Sequence, residues 1–211
     1  NLQERRRPRA RCRDQLGRRV RLGIDIAREV AQVRRMHARS PLSPRLGSIP
    51  DVLWAPASAV GLMLLVGATA FVASCPFLFP SLGPTAFQQA EYPHHRSSGI
   101  YHVIVGHLVG LISGLLAVGL MGAMNAPPAT AGTPLSLVRL GSVALAVGMT
   151  IVFQLVLRAS HPPAVSTTLL IALGAFPVAV HTAVTIVIGV VLVAIPGELL
   201  RRARLTTPAR P

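Results

Sequence analysis

Between Val52 and Ile195 the chain alternates long apolar runs with short polar or proline-rich breaks, and charge is almost absent from it. Four of the runs are long enough to span a bilayer as helices: about 55–79, 99–123, 135–157 and 177–196. Between the first two lies Ser81-Leu82-Gly83-Pro84-Thr85-Ala86-Phe87, a short piece broken at Gly83-Pro84, followed by a polar loop from Gln88 to Ser98. Between the last two lies Ser160-His161-Pro162-Pro163, leading into a short apolar run from Ala164 to Phe176. That run measures roughly 20 Å as a helix against a hydrocarbon core of about 30 Å, too short to cross alone.

The breaks matter because two adjacent prolines remove two backbone donors and push the preceding residues out of helix. Polar backbone at membrane depth must bond to protein or to water in a cavity. The pattern therefore predicts an all-α membrane protein: four transmembrane helices plus two short, Pro-broken half-helices. Each half of the chain has the same plan of full span, broken short helix and full span. Pro84 and Pro163 are 79 residues apart, as are Ser81 and Ser160. Two full spans per half make the two repeats parallel, related by an axis along the membrane normal.

Composition supports this class. Just over half of the 211 residues are hydrophobic and mean hydropathy is +0.55, a balance that suits a polytopic membrane protein. The net charge of +14 would suit a nucleic-acid partner, but its distribution argues against one. Fourteen of the 21 basic residues, all arginine, precede Asp51, and four follow Leu200. Basic ends around a charge-poor middle are the positive-inside pattern, which predicts both termini in the cytoplasm and the spans in the inner membrane. The chain divides accordingly into an Arg-rich tail (1–50), a transmembrane domain (51–200) and a basic C-terminal tail (201–211). Within the first tail Leu16, Val20, Ile24, Ala27 and Ala31 share a helical face, with Arg18, Arg21, Arg28 and Arg35 largely off it. Such a helix lies on an anionic lipid surface or is simply solvated. No signal-peptide pattern precedes the first span. Cys12 and Cys75 sit in unlike surroundings and are not expected to pair.

The candidate chemistry lies at the breaks. A helix starting at Pro163 leaves the N–H groups of Ala164, Val165 and Ser166 as donors, and one starting at Pro84 leaves those of Thr85, Ala86 and Phe87. Two such termini meeting on the repeat axis would form a compact anion site, with Ser160, His161, Ser166, Thr167 and Thr168 adding donors. The other reading is that these termini cap against neighbouring carbonyls. His107 lies inside the second span beside Gly106, Gly110 and Gly114, a small-residue stripe that permits close helix approach and, without requiring it, a homodimer. His107 either faces a site or bonds as a neutral ring across helices. His181 and Thr185 form a second polar strip that reads as structural. Arg139, Arg158 and Trp54 read as interfacial anchors. The histidines at 94, 95, 102, 107 and 161 lack a cysteine or carboxylate among them beyond Glu91, so no metal or other cofactor is expected. The membrane core offers no carboxylate for a nucleophile–base arrangement, so no enzymatic activity is expected.

Ser160-His161-Pro162-Pro163-Ala164 with Thr167-Thr168-Leu169 resembles the signature of the HPP family of integral membrane proteins. Ser81 to Phe87, then Gly106-His107 and Gly110, are similar to that family's other recurring segment, and the resemblance covers about residues 55–198. Val165 and Ser166 stand where the family usually has Gly and Ala, and Ser97-Ser98-Gly99 replaces its usual Pro-Arg-Asn. The resemblance implies four spans, and because plant plastid and cyanobacterial members are associated with nitrite transport, it implies a small-anion transporter or channel. The alternative is a non-transporting membrane scaffold acting on a partner through the basic tail.

Overall fold

The computed structural model describes residues 49–129 and 132–206, so the readings of the first tail lie outside the described residues. Six α-helices follow in order: α1 (Asp51–Ala73), α2 (Leu82–Glu91), α3 (Ile100–Leu120), α4 (Leu137–Val156), α5 (Ala164–Ala172) and α6 (Val180–Thr206). A 3-10 turn, Arg96–Ser98, precedes α3, and there is no strand among the described residues. The four long helices are apolar enough to cross a membrane. Their outward faces carry residues such as Phe71, Val72, Leu137 and Val180, all strongly exposed, which suits hydrocarbon rather than water.

The local chemistry moves several boundaries. α1 ends at Ser74, which adopts φ 50° while Cys75 N–H donates to the Ala70 carbonyl at 3.1 Å, a left-handed stop followed by Pro76. Helix α2 begins at Leu82, two residues before Pro84. A first-turn N–H has no intrahelical partner, so proline there costs nothing. The break in the first half therefore lies at residues 74–81, not at Gly83-Pro84, and the expected Gln88–Ser98 loop begins as helix. The last helix continues through Pro196 to Thr206, so residues 201–206 extend the span instead of forming a separate tail.

Contacts at the helix ends fix the direction of every element. Arg204, near the end of α6, pairs with Asp51 at the start of α1 and lies 5.4 Å over the Trp54 ring. At that same end Ile100 N–H, at the start of α3, donates to Glu198 Oε2 at 3.3 Å. Helix α4 finishes there too, since the Tyr101 hydroxyl donates to the Leu157 carbonyl at 3.0 Å. Along α3, Gly106 faces His161, Gly110 faces Ala164 and Gly114 faces Ile171, so α5 runs with α3. Along α6, Gly189 faces Phe77 and Phe79 while Gly197 faces Gln89, so α2 runs with α6. Helices α1, α3 and α5 thus run one way and α2, α4 and α6 the other.

This corrects the expected parallel repeats. Each half makes three passages, so the second half is the first turned over: the repeats are inverted, with the pseudo-twofold axis across the helices. The packing agrees. Helix α1 packs on α2 and α4 on α5; α3 packs on α4 and α5, as α6 packs on α1 and α2; and α3 meets α6. Exchanging the halves leaves that set unchanged. A short helix completes its passage because extended backbone advances about 3.3 Å per residue, against 1.5 Å in a helix. The non-helical residues before α2 and α5, 76–79 and 159–161 between turns, supply the missing length. The structural offset is 82–83 residues: Leu82 matches Ala164, Thr85 matches Thr167, Gly106 matches Gly189 and Gly114 matches Gly197.

One acid closes the end of the bundle where α1 starts. Glu198 is almost fully buried; its carboxylate accepts from Arg201 at 2.8 and 2.9 Å, from Arg202 at 2.7 Å and from Ile100 N–H. Arg201 in turn donates to the Pro93 carbonyl at 2.9 Å. Glu198→Ala strands a half-buried guanidinium and an orphan helix N–H together. It is expected to lower the melting temperature in detergent by several degrees, and more than Asp51→Ala, whose carboxylate is far more exposed than that of Glu198. Equal shifts for the two variants would remove Glu198 from this role.

Candidate functional site

The two short helices start side by side in the middle of the bundle, and their first turns carry hydroxyls. Thr85 and Thr167, the fourth residue of each helix, are both fully buried and both bond the same ring. His107 Nε2 lies 2.8 Å from Thr85 Oγ1, and His107 Nδ1 lies 2.7 Å from Thr167 Oγ1. Two residues related by the pseudo-twofold therefore grip one imidazole whose own counterpart on α6, 83 residues on, is Val190.

The chain of contacts continues in both directions. Thr167 Oγ1 lies 2.8 Å from Ser81 Oγ, the residue just before α2. Thr85 Oγ1 donates to the Ser81 carbonyl at 3.1 Å and lies 3.2 Å from His161 Nε2. His161 Nδ1 meets the Ser97 carbonyl at 2.8 Å, and the two imidazole centroids are 5.1 Å apart. Gln154 on α4 secures the break: its Oε1 accepts from His161 N–H at 3.0 Å, and its Nε2 donates to the Gly106 and His161 carbonyls at 3.4 Å each. Beside the cluster Thr150 Oγ1 and Thr168 Oγ1 are 2.8 Å apart. All these side chains are buried and none is acidic; the acids among the described residues, Asp51, Glu91 and Glu198, lie toward the end of the bundle where α1 starts.

The expected donors are placed differently from the sequence reading. Ala164, Val165 and Ser166 N–H groups each bond back three residues, to the His161, Pro162 and Pro163 carbonyls at 3.0–3.1 Å. The Pro-Pro turn tightens into 3-10 geometry and consumes its own donors. Thr85, Ala86 and Phe87 lie within α2, past its free first turn, because the helix starts at Leu82. Ala86 packs in the apolar core and Phe87 is exposed on the outside. Ser160 is exposed, and Val165 and Ser166 are half-buried outside the cluster. Thr85, His107, His161 and Thr167 are brought together; Ala164 serves as backbone packing against Gly110.

Sequence reasoning left out three participants. Ser81 marked the repeat but not the site. Gln154 was legible as a carboxamide inside an apolar span. Ser97 acts through its carbonyl and has no side-chain signal. Arg139 also differs from its reading as an interfacial anchor. It is 4% exposed and donates to the carbonyls of Ala126 (2.7 Å), Pro127 (3.2 Å) and Ala172 (3.2 Å). A cation there caps the C-terminus of α5. Gly174, at φ +77° and pressed against the guanidinium, makes the room. The glycine stripe of α3 is covered by α5 of the same chain, so it is not free for a second copy.

A model of the family described as HPP, transmembrane region, matches residues 44–207. No curated protein and no solved structure matches the chain.

Proposed function

The chain belongs to the HPP transmembrane family, and from that premise we propose that it moves a small inorganic anion, nitrite first, across the inner membrane, with both termini cytoplasmic. The observation that carries the reading is the buried cluster of hydroxyls and imidazoles, free of carboxylates, where the broken helices of two inverted halves meet. Inverted halves with discontinuous helices at their contact are the architecture of many alternating-access carriers, whose substrate sites lie at that contact. Hydroxyl and imidazole donors without a carboxylate favour an anion over a cation or an amine. The donors are side chains, Thr85, Thr167, His107 and Ser81, in place of the helix-start N–H groups. The cluster is closed on itself, which suits a carrier occluded between its two open forms more than an open channel. Nitrite is the choice that the family's plastid and cyanobacterial members suggest. Supporting the cytoplasmic placement, Arg201, Arg202 and Arg204 stand at the same end of the bundle as the start of α1.

Purified protein in liposomes is expected to take up nitrite above protein-free vesicles, with uptake strongly reduced in His161→Gln. Absence of nitrite, nitrate, formate and chloride flux above protein-free vesicles would remove transport and leave the membrane-scaffold reading.

A further inference from the structure

The hydrogen atoms of the central cluster can be placed by elimination. The Ser97 carbonyl only accepts, so His161 Nδ1, 2.8 Å away, carries a proton. A neutral His161 then presents a bare Nε2 to Thr85, whose hydroxyl pairs that nitrogen only by turning from the Ser81 carbonyl, 3.1 Å away, to donate to the ring. With its one proton used, Thr85 Oγ1 can only accept from His107, so His107 Nε2 is protonated and Nδ1 is bare. Nδ1 accepts from Thr167, whose oxygen accepts from Ser81. Every donor in the neutral chain points the same way, from Ser81 through Thr167, His107 and Thr85 to His161.

One added proton turns the whole chain round. As an imidazolium, His161 donates from Nε2 to Thr85, Thr85 to His107 Nε2, His107 Nδ1 to Thr167, and Thr167 to Ser81. The two arrangements differ by a single proton passed along four hydrogen bonds, and both leave every ring nitrogen paired. The groups that surround His161 bring it no counter-charge. From α3 it faces His107 and interacts electrostatically with His102; beyond Ser97 lies His95, whose Nδ1 is 2.6 Å from Ser97 Oγ. Helix α2 presents Thr85 and α4 presents Gln154, and no hydrogen bond or ion pair among the described residues brings a carboxylate to it. The positive charge would therefore be balanced by the substrate.

His107 also lines a narrow cleft between α3 and α6, walled by Ile104, Leu108 and Leu111 on one side and Ile186, Val187 and Val190 on the other. Apolar walls penalise a bare anion and admit a neutral acid.

We propose that the chain carries a proton with each anion, and that Ser81, Thr167, His107, Thr85 and His161 form the relay. The inference rests on the transport reading and adds its coupling ion. The substrate class is the conjugate base of a small oxyacid. When the acid HA reaches Ser81, its O–H bond breaks and the proton joins Ser81 Oγ. The Ser81 proton passes to Thr167, that of Thr167 to His107 Nδ1, that on His107 Nε2 to Thr85, and that of Thr85 to His161 Nε2. The products are A⁻ and the His161 imidazolium, so charge is conserved, and the reverse sequence returns HA on the other side.

The test is an inward nitrite gradient on proteoliposomes holding a pH dye, with voltage set by potassium and valinomycin and protein-free vesicles subtracted. One proton is expected to enter per nitrite, at a rate indifferent to voltage. Thr85→Val is expected to cut proton entry at least about tenfold, while Thr85→Ser retains it. Nitrite entering without internal acidification and following the voltage would overturn the coupling while leaving anion transport intact. Unchanged proton entry in Thr85→Val would overturn the relay. If no nitrite enters at all, the transport reading fails and the relay falls with it.

Discussion

Gly110→Val is expected to prevent the fold from forming. A Cβ at Gly110 would stand 2.6 Å from the Ala164 carbonyl oxygen and 2.9 Å from Thr168 Oγ1. The first of these is backbone, which no rotamer change can move, so the start of α5 would have to leave α3. Overpacking of this kind costs about 1–3 kcal/mol and occasionally more, in a protein whose net stability is itself small. The displacement would also pull Thr167 and His161 away from His107. The expected result is aggregated protein on size exclusion, with no residual nitrite uptake. Gly148→Ala is the control, because nothing lies within 4 Å of its Cβ position, and alanine there is expected to stabilise α4 by roughly 0.5–1 kcal/mol. A monodisperse Gly110→Val protein with the parental melting temperature would mean that α3 and α5 are not in backbone contact.

That close contact was legible in the sequence, because Gly106, Gly110 and Gly114 recur every fourth residue in an apolar helix. So were the four spans, which hydropathy and length define almost alone, and the two buried histidines, which stand out in hydrocarbon. The direction of the repeats was not legible. Counting passages by helices of full length omits residues 74–81 and 157–163, which cross part of the bundle as non-helical chain and turns and carry no periodic signal. Aligning the halves on proline misled for a related reason. Pro84 sits inside the first turn of α2 and Pro163 just ahead of α5, since either place spares an N–H that has no partner. The pairing that matters is Thr85 with Thr167, yet Thr167 is flanked by Ser166 and Thr168, and nothing in composition says which hydroxyl faces inward. Only the helical register, set by the true starts at Leu82 and Ala164, selects it. The N–H donors failed as a reading because a tight Pro-Pro turn satisfies them locally, an outcome that depends on backbone angles and not on residue type.

The register also predicts how the site responds to mutation. Thr85→Val and Thr167→Val keep side-chain volume, and each removes one hydroxyl from the same imidazole. A buried ring nitrogen left without its partner costs about 1–3 kcal/mol, so each variant is expected to lower nitrite uptake by roughly tenfold. The losses should not add. Once one hydroxyl is gone the ring is held from one side only and can turn within its space, so the second deletion removes an interaction already weakened. The double variant is therefore expected to resemble the weaker single, and His107→Ala, which removes the shared partner, to fall at least as low as the double. Ser160→Ala and Ser166→Ala should leave uptake unchanged, because both residues stand outside the hydrogen-bonded chain. Initial rates in proteoliposomes, normalised to folded protein, measure all six variants. Additive losses would mean that Thr85 and Thr167 act at separate places. A loss in Ser160→Ala equal to that in Thr85→Val would move the site out of the bundle centre to the exposed break.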